Sequence, residues 1–278
     1  MRKIQIMRAA IAVVLVTLAM VSCQKETVTI PSVPQASNKK ILLKDITIPH
    51  LPSPYYHFEY NADSTVAKAS FDSGLTMYDV VYSGNRIGEM RNNIIVNHDT
   101  LRYVYDNTGK IQTINFINEA NVIYRHAFFE YYGQLLTQVE WDHQVSGSFV
   151  VDRTLTFTYF PDGNLKQIRE HRPPIGGGPE INVVTQFDNY DDKVNVDDFM
   201  LLHDGIHDHL FLLAGFRLQR NNPRKETLDA QDGVAYVANY NYTYNSDGTP
   251  TIKSGTLLFT RGQQAGQTFQ VSTSYSYY

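Results

Sequence analysis

The chain is predicted to be all-β: a large, strongly bent antiparallel meander, half-barrel or barrel-like, built from repeated hairpins. Three observations predict this. Apolar and aromatic residues alternate with polar ones along many short stretches, as they do in strands whose successive side chains take opposite faces. Asp-, Asn- and Gly-bearing turn quartets join those stretches. The chain carries 19 Tyr and 14 Phe against one Trp, a weighting that favours strands.

The clearest hairpin spans residues 101–114. Leu101, Tyr103 and Tyr105 alternate with Arg102, Val104 and Asp106, so one face is apolar. Asp106, Asn107, Thr108 and Gly109 then read as a type I turn, with Gly where a bulged loop needs positive φ. An extended run follows from Lys110 to Phe116. The same logic places Leu155, Phe157 and Tyr159 before Phe160, Pro161, Asp162 and Gly163. It places Tyr240, Tyr242 and Tyr244 before Asn245, Ser246, Asp247 and Gly248. Tyr60 precedes Asn61, Ala62, Asp63 and Ser64, a copy without the glycine, and shorter versions follow Tyr82 and Tyr132. The anchors Tyr60, Tyr82, Tyr105, Tyr131 and Tyr159 are separated by 22, 23, 26 and 28 residues. A further 28 reaches Phe187, and Tyr244 lies 57 beyond. Two strands and two turns account for such a drifting period.

The repeat breaks once, between Phe187 and Tyr236. Phe199, Leu202, Ile206, Leu210 and Leu213 share one helical face, which predicts a short helical insertion around 197–215, packed over one end or face of the sheet. Asp197 or Asp198 would stand near its start, and Asn221, Asn222 and Pro223 would stop it. Gly205 weakens such a helix. One such segment is too little to cover an apolar sheet face, so the sheet must curl on itself. A membrane-spanning barrel is the rival architecture, suggested by Tyr275, Tyr277 and Tyr278 at the terminus.

Three segments divide the chain: a signal peptide at 1–22, a flexible tether at 23–40 and one β-rich domain at 41–278. Arg2, Lys3 and Arg8 precede a nearly apolar stretch from Ala9 to Met20, too short for a comfortable spanning helix. Met20, Val21, Ser22 and Cys23 then resemble the lipobox of bacterial lipoproteins. That resemblance implies cleavage before Cys23 and lipid attachment at Cys23, the only cysteine. The mature chain would then be held at a membrane by acyl chains. Gln24, Lys25 and Glu26 loosely resemble export signals of Bacteroidetes surface lipoproteins. Residues 27–40 are Thr-, Pro-, Ser- and Asn-rich, as a linker is. Pro49, Pro52 and Pro54 argue against a central strand there.

Together, the lipobox, the Tyr-Asp-x-x-Gly-like hairpins and the break from Asp188 to Pro223 resemble a group of uncharacterised Bacteroidetes lipoproteins with a domain of unknown function and a porin-like fold. The hairpins alone also resemble the YD repeats of Rhs-type shell proteins. Val196 departs from the first group, which would carry Pro just after Asn195. The resemblance implies a fold and no catalytic residues.

A net charge of −4 without a basic block leaves no electrostatic footprint for nucleic acid. His203 and His207 have a metal-sharing spacing but need a third ligand, and a polar helix shoulder or loop is the more ordinary reading. The acids Asp188, Asp191, Asp192, Asp197 and Asp198 lack calcium-loop spacing and read as a solvated turn and helix start. Arg172 to Pro179 is a glycine-bearing loop without the context of a phosphate loop. Trp141, with Asp142 beside it, is the one candidate ligand contact: an exposed Trp flanked by acids suits a sugar, although a strand-end aromatic closing a core is the more ordinary reading. No nucleophile motif, catalytic residue, metal site or cofactor is assigned. The expectation is an outer-membrane-anchored lipoprotein, on the periplasmic face or cell surface, acting as a non-catalytic binding module for a polysaccharide or protein partner. A scaffold without a small ligand and a hydrolase with dispersed carboxylates are the alternatives.

Overall fold

A computed structural model describes residues 40–94, 97–174, 178–202, 208–231 and 233–278. The signal peptide, Cys23 and nearly all of the tether lie outside the described residues, as do His203 and His207.

Sixteen antiparallel strands among the described residues form one closed barrel. In chain order they are β1 (Leu43–Thr47), β2 (Tyr56–Tyr60), β3 (Val66–Phe71), β4 (Thr76–Ser83), β5 (Arg86–Asn92), β6 (Thr100–Tyr105), β7 (Ile111–Ile117) and β8 (Ile123–Tyr132). Then come β9 (Leu135–Val145), β10 (Ser148–Tyr159), β11 (Leu165–Arg172), β12 (Ile181–Val194), β13 (Asn221–Ala230), β14 (Ala235–Tyr244), β15 (Pro250–Arg261) and β16 (Thr268–Tyr277). Every strand pairs with its sequence neighbours, and β16 closes on β1 with Leu43 opposite Tyr277. The fold is therefore the barrel-like all-β meander that alternation predicts, curled until no edge remains.

The predicted turns form at one rim. Backbone N–H groups of Ser64, Gly109, Gly163 and Gly248 donate to the carbonyls of Asn61, Asp106, Phe160 and Asn245. Gly109, Gly163 and Gly248 sit at φ of 84–90°, where a β-carbon is disfavoured. An aspartate fixes each loop: Asp106 Oδ1 accepts the N–H of Thr108, and Asp63, Asp162 and Asp247 do the same for Thr65, Asn164 and Thr249.

Each turn is preceded by a tyrosine with a structural task. The ladder between successive hairpins stops short of the turn rim; between β5 and β6, for example, it ends at Glu89 and Arg102. Beyond that point a tyrosine hydroxyl replaces the missing ladder bond. Tyr60, Tyr82, Tyr105, Tyr131, Tyr159, Tyr190, Tyr242 and Tyr277 donate to the carbonyls of Leu43, Val66, Ile87, Ile111, Leu136, Leu165, Pro223 and Pro250, at 2.5–3.1 Å. Each lies on an even-numbered strand and reaches the odd-numbered strand before it. In the first five, the register shifts immediately before the tyrosine; such bulges re-aim a side chain. The five equally treated anchors of the sequence thus belong to one belt. Phe187 does not: it is a buried wall residue, and Tyr190 takes its place. Tyr242, rather than Tyr244, serves β14.

The segment 195–220 replaces a tight turn between β12 and β13, and it enters the lumen. It forms two short 3-10 turns, Phe199–Leu201 and Leu210–Ala214, in place of the amphipathic helix expected over one end or face of the sheet. The reason is its setting. Inside a barrel it meets walls on several sides, so no single stripe is selected: Leu202, Leu210, Phe211, Leu212 and Leu218 are all buried. Phe199 packs on Phe58 at 5.0 Å, His209 on Phe71 at 4.6 Å and Phe211 on Phe129 at 5.3 Å between ring centroids. Tyr103 Oη donates to the Leu210 carbonyl at 3.2 Å. An eight-stranded barrel is just filled by its own side chains. Sixteen strands enclose more space, and this segment fills much of it.

The acidic run is also placed differently from a solvated turn. Asp188, Asp191 and Asp192 lie within β12, and Asp197 and Asp198 are buried. The outer wall carries several ion pairs, with exposed apolar side chains such as Val104, Phe128, Ile252 and Leu258 between polar ones. Asp45 meets His57 at 2.6 Å, Lys68 meets Glu59 at 3.6 Å, and Glu89 joins Arg91 and Arg102 at 2.8 and 3.1 Å.

Candidate binding cavity in the barrel lumen

The inserted segment packs mainly against β2, β3, β6 and β8, and it leaves space on the wall formed by β12–β16. There a cavity of about 710 Å³ opens beside residues 48–50, at the rim opposite the tight turns. Strand alternation determines what faces it. Phe187 opposes Glu226, and Glu226 opposes Ala238, so the Glu226 carboxylate shares the inner face with two buried apolar neighbours. Tyr236 and Tyr240 flank Ala238 on that face and donate to Glu226 Oε1 and Oε2 at 2.6 and 3.1 Å. Burial, and then the Glu226 charge, pushes both phenols well above their ordinary pKa. They remain protonated donors to the carboxylate.

Lys253 lies on the next strand, with its ammonium 4.1 Å from the Tyr240 ring centroid, within cation–π range. Gly255 opposes Tyr240, and a β-carbon there would meet the Asn239 carbonyl at 2.1 Å and the Tyr240 ring at 2.9 Å. The glycine therefore lets the ring lie close to the wall. Thr185 and Thr273 add hydroxyls, and Phe187, Met200, Leu201 and Leu228 form an apolar floor. Nothing in the strand pattern around Glu226 singled it out. The usable signal was a charge on the tyrosine-bearing face, which Lys253 also shows opposite Tyr242.

Two further polar centres bind the inserted segment to the wall. Asp208 accepts from Arg125 at 2.7 Å and from Arg153 at 2.5 Å. Burial raises the Asp208 pKa, but the two guanidinium groups outweigh it and hold the carboxyl below its usual range. Arg153 also meets Glu170 at 3.0 Å, and His143 meets Asp152 at 3.0 Å. At the turn rim, Asp198 accepts the backbone N–H groups of Leu218 and Gln219 and the side-chain amide of Asn195. Asp197 accepts from Tyr275 Oη and the Met200 N–H. Burial pushes Asp198 up to about 7, against its backbone hydrogen bonds and with help from the Asp197 charge. Asp198 also borders a smaller cavity of about 310 Å³ between the segment and β2–β4.

Trp141 is not the exposed platform expected of a sugar contact. It is 1 % exposed and faces the lumen, with the guanidinium carbons of Arg153 and Arg125 at 5.3 and 6.0 Å from its ring. Asp142 takes the opposite face of β9, where its Oδ1 accepts from the His126 N–H at 2.9 Å and contacts His126 Nδ1 at 2.8 Å. The two residues adjoin in sequence and are separated by the sheet, because strand neighbours point to opposite sides. Among the described residues, no three His, Cys, Asp or Glu side chains are grouped to hold a metal.

No family model matches the chain. No curated protein matches it either. Among solved structures it is similar to a porin-like protein from Bacteroides uniformis ATCC 8492, with a TM-score of 0.56, 14% identity, and 80% of this chain and 89% of that one covered. It also aligns with TcdB2-TccC3, at a TM-score of 0.32 and 16% identity over 80% of this chain and 12% of that one. Against the Tc holotoxin pore of Photorhabdus luminescens the TM-score is 0.33 and the identity 17%, over 77% and 11% of the two chains. The first likeness shows the fold; the other two carry no argument.

Proposed function

We propose that the protein is a lipid-tethered, non-catalytic binding barrel of the bacterial outer membrane, anchored through Cys23 and presenting its lumenal cavity to a polysaccharide or protein partner. The observation that carries this reading is the polarity of the barrel. Its lumen is packed with its own apolar segment, while its outer wall bears paired charges. A conducting membrane barrel has the reverse arrangement. A barrel closed in this way serves as a rigid frame for a site, and the cavity on the β12–β16 wall is such a site. Asp197, Asp198 and Asp208 are each occupied by hydrogen bonds that hold the inserted segment, which leaves Glu226 as the one carboxylate among the described residues lining the cavity and supports binding over hydrolysis by paired carboxylates. The porin-like neighbour is consistent with an envelope location.

The test has three arms. Palmitate labelling and sedimentation with membranes are expected for the wild type and lost in Cys23→Ser. Planar bilayers exposed to the purified protein are expected to gain no conductance; steady single-channel currents would overturn the binding-barrel reading. Retention of an oligosaccharide on a glycan array, or of an envelope protein by chemical cross-linking in cells, is expected. Absence of both favours the scaffold reading, which the filled lumen also suits.

A further inference from the structure

Resting on the binding reading above, we infer that the β12–β16 cavity is a saccharide site, taking an uncharged, hydroxyl-rich ligand between Glu226 and Lys253. The argument is one of donors, acceptors and charge. A carboxylate has about four lone-pair positions and no donor. Tyr236 and Tyr240 use one position on each Glu226 oxygen, so acceptor capacity remains on both. The two phenol protons are committed to Glu226, which leaves their oxygens able only to accept. Lys253 carries three donors and no acceptor. Its ammonium lies over Tyr240 and, among the described residues, has no carboxylate within ion-pair distance, although it acts on the Asp197 charge at longer range.

A ligand seated here must therefore donate to one side of the wall and accept from the other. A hydroxyl does both. Thr185 and Thr273 offer the same dual chemistry along the cavity. Net charge is selected against: an anion would face Glu226 and a cation would face Lys253, in surroundings where like charges repel more strongly than in water. The apolar floor of Phe187, Met200, Leu201 and Leu228 suits the C–H face of a sugar ring. The volume of about 710 Å³ falls within the ordinary range for small-ligand pockets. A zwitterion, with one charge for each side chain, is the competing class.

The experiment is a binding panel on the purified, folded protein. Its probes are neutral gluco-, manno- and xylo-oligosaccharides, oligogalacturonates, and free dipeptides. At least one neutral oligosaccharide is expected to bind. Glu226→Gln and Lys253→Met are each expected to weaken it at least tenfold, and Val271→Trp, which fills the cavity, to abolish it. Glu89→Gln on the outer wall should leave it unchanged. If either polar variant loses its fold by far-UV circular dichroism, Thr273→Val carries the test, with a loss of at least threefold. Neutral binding that survives all the lumenal variants overturns the site and leaves the binding reading standing. Binding of dipeptides or galacturonates alone overturns the ligand class. A panel with no binding at all overturns the saccharide site, and the array and cross-linking arms then decide the broader reading.

Discussion

Asp198 illustrates what a single carboxyl costs when it is used inside a fold. It is buried, and its folded pKa of about 7 lies above the unfolded value of 3.8. Between those values the folded chain keeps a proton that the unfolded chain releases. Its stabilising contribution is complete below about pH 4 and is lost as pH rises through 7. Thermal melts should therefore show stability falling from pH 5 to pH 8, by an Asp198-dependent amount on the order of 2 kcal/mol. Asp198→Asn should flatten that slope; an unchanged slope would assign it to another group, such as Asp197, which burial also raises. The tyrosine belt makes a separate prediction. Tyr159→Phe deletes the donor to the Leu136 carbonyl and should lower stability by about 1 kcal/mol in urea unfolding. The belt was partly legible in the chain. Tyr60, Tyr82, Tyr105, Tyr131 and Tyr159 announced themselves by spacing, but Tyr190 and Tyr242 did not. The longer connection between β11 and β12 stretches the step to Tyr190, the inserted segment stretches the step to Tyr242, and Tyr242 has a tyrosine two residues away on either side of it. Trp141 takes the core position that is the ordinary one for such an aromatic, and sequence alternation says that faces differ without saying which one is wet.

At the scale of elements, the segment 195–220 is the one departure from the hairpin rule. Its interruption of the strand pattern was legible, and so was its apolar content. Its destination was not, because a helical spacing of leucines describes a buried irregular segment equally well. What holds it in place is a mixture of ring packing and the Asp208 clamp. Removing one partner from a buried ion pair strands the others without compensation. Asp208→Ala leaves Arg153, whose side chain is 5% exposed, without its closest carboxylate. It should cost roughly 3–5 kcal/mol. The single tryptophan provides the readout: Trp141 lies against both guanidinium groups, so its emission should move to longer wavelength if the segment withdraws and water enters. A full stability loss with unshifted native emission would instead place the damage away from the lumen.

The whole molecule follows from counting strands. Alternation predicts a sheet with one greasy face, and such a sheet must close or be covered. The chain closes it, and the closed barrel is wide enough to need a filler. Curling was thus foreseeable. The number of strands and the closure of β16 on β1 were not, since register between distant strands leaves no local trace. Glu226 and Lys253 were equally hidden, because their proximity depends on the registers of β13, β14 and β15. Closure also sets a limit on truncation. A chain ending at residue 267 lacks β16 and should expose the edges of β1 and β15 together. Size-exclusion chromatography should then show oligomers or aggregate in place of a monomer.

One consequence of that closure concerns biosynthesis. β1 is among the first described residues to be translated, and its second partner is nearly the last: Leu43 waits for Tyr277, and the Tyr278 N–H completes the join at the Leu42 carbonyl. Until β16 pairs with β1 the growing sheet is an open ribbon with a sticky border. Such a chain has reason to depend on a chaperone until the ring is shut.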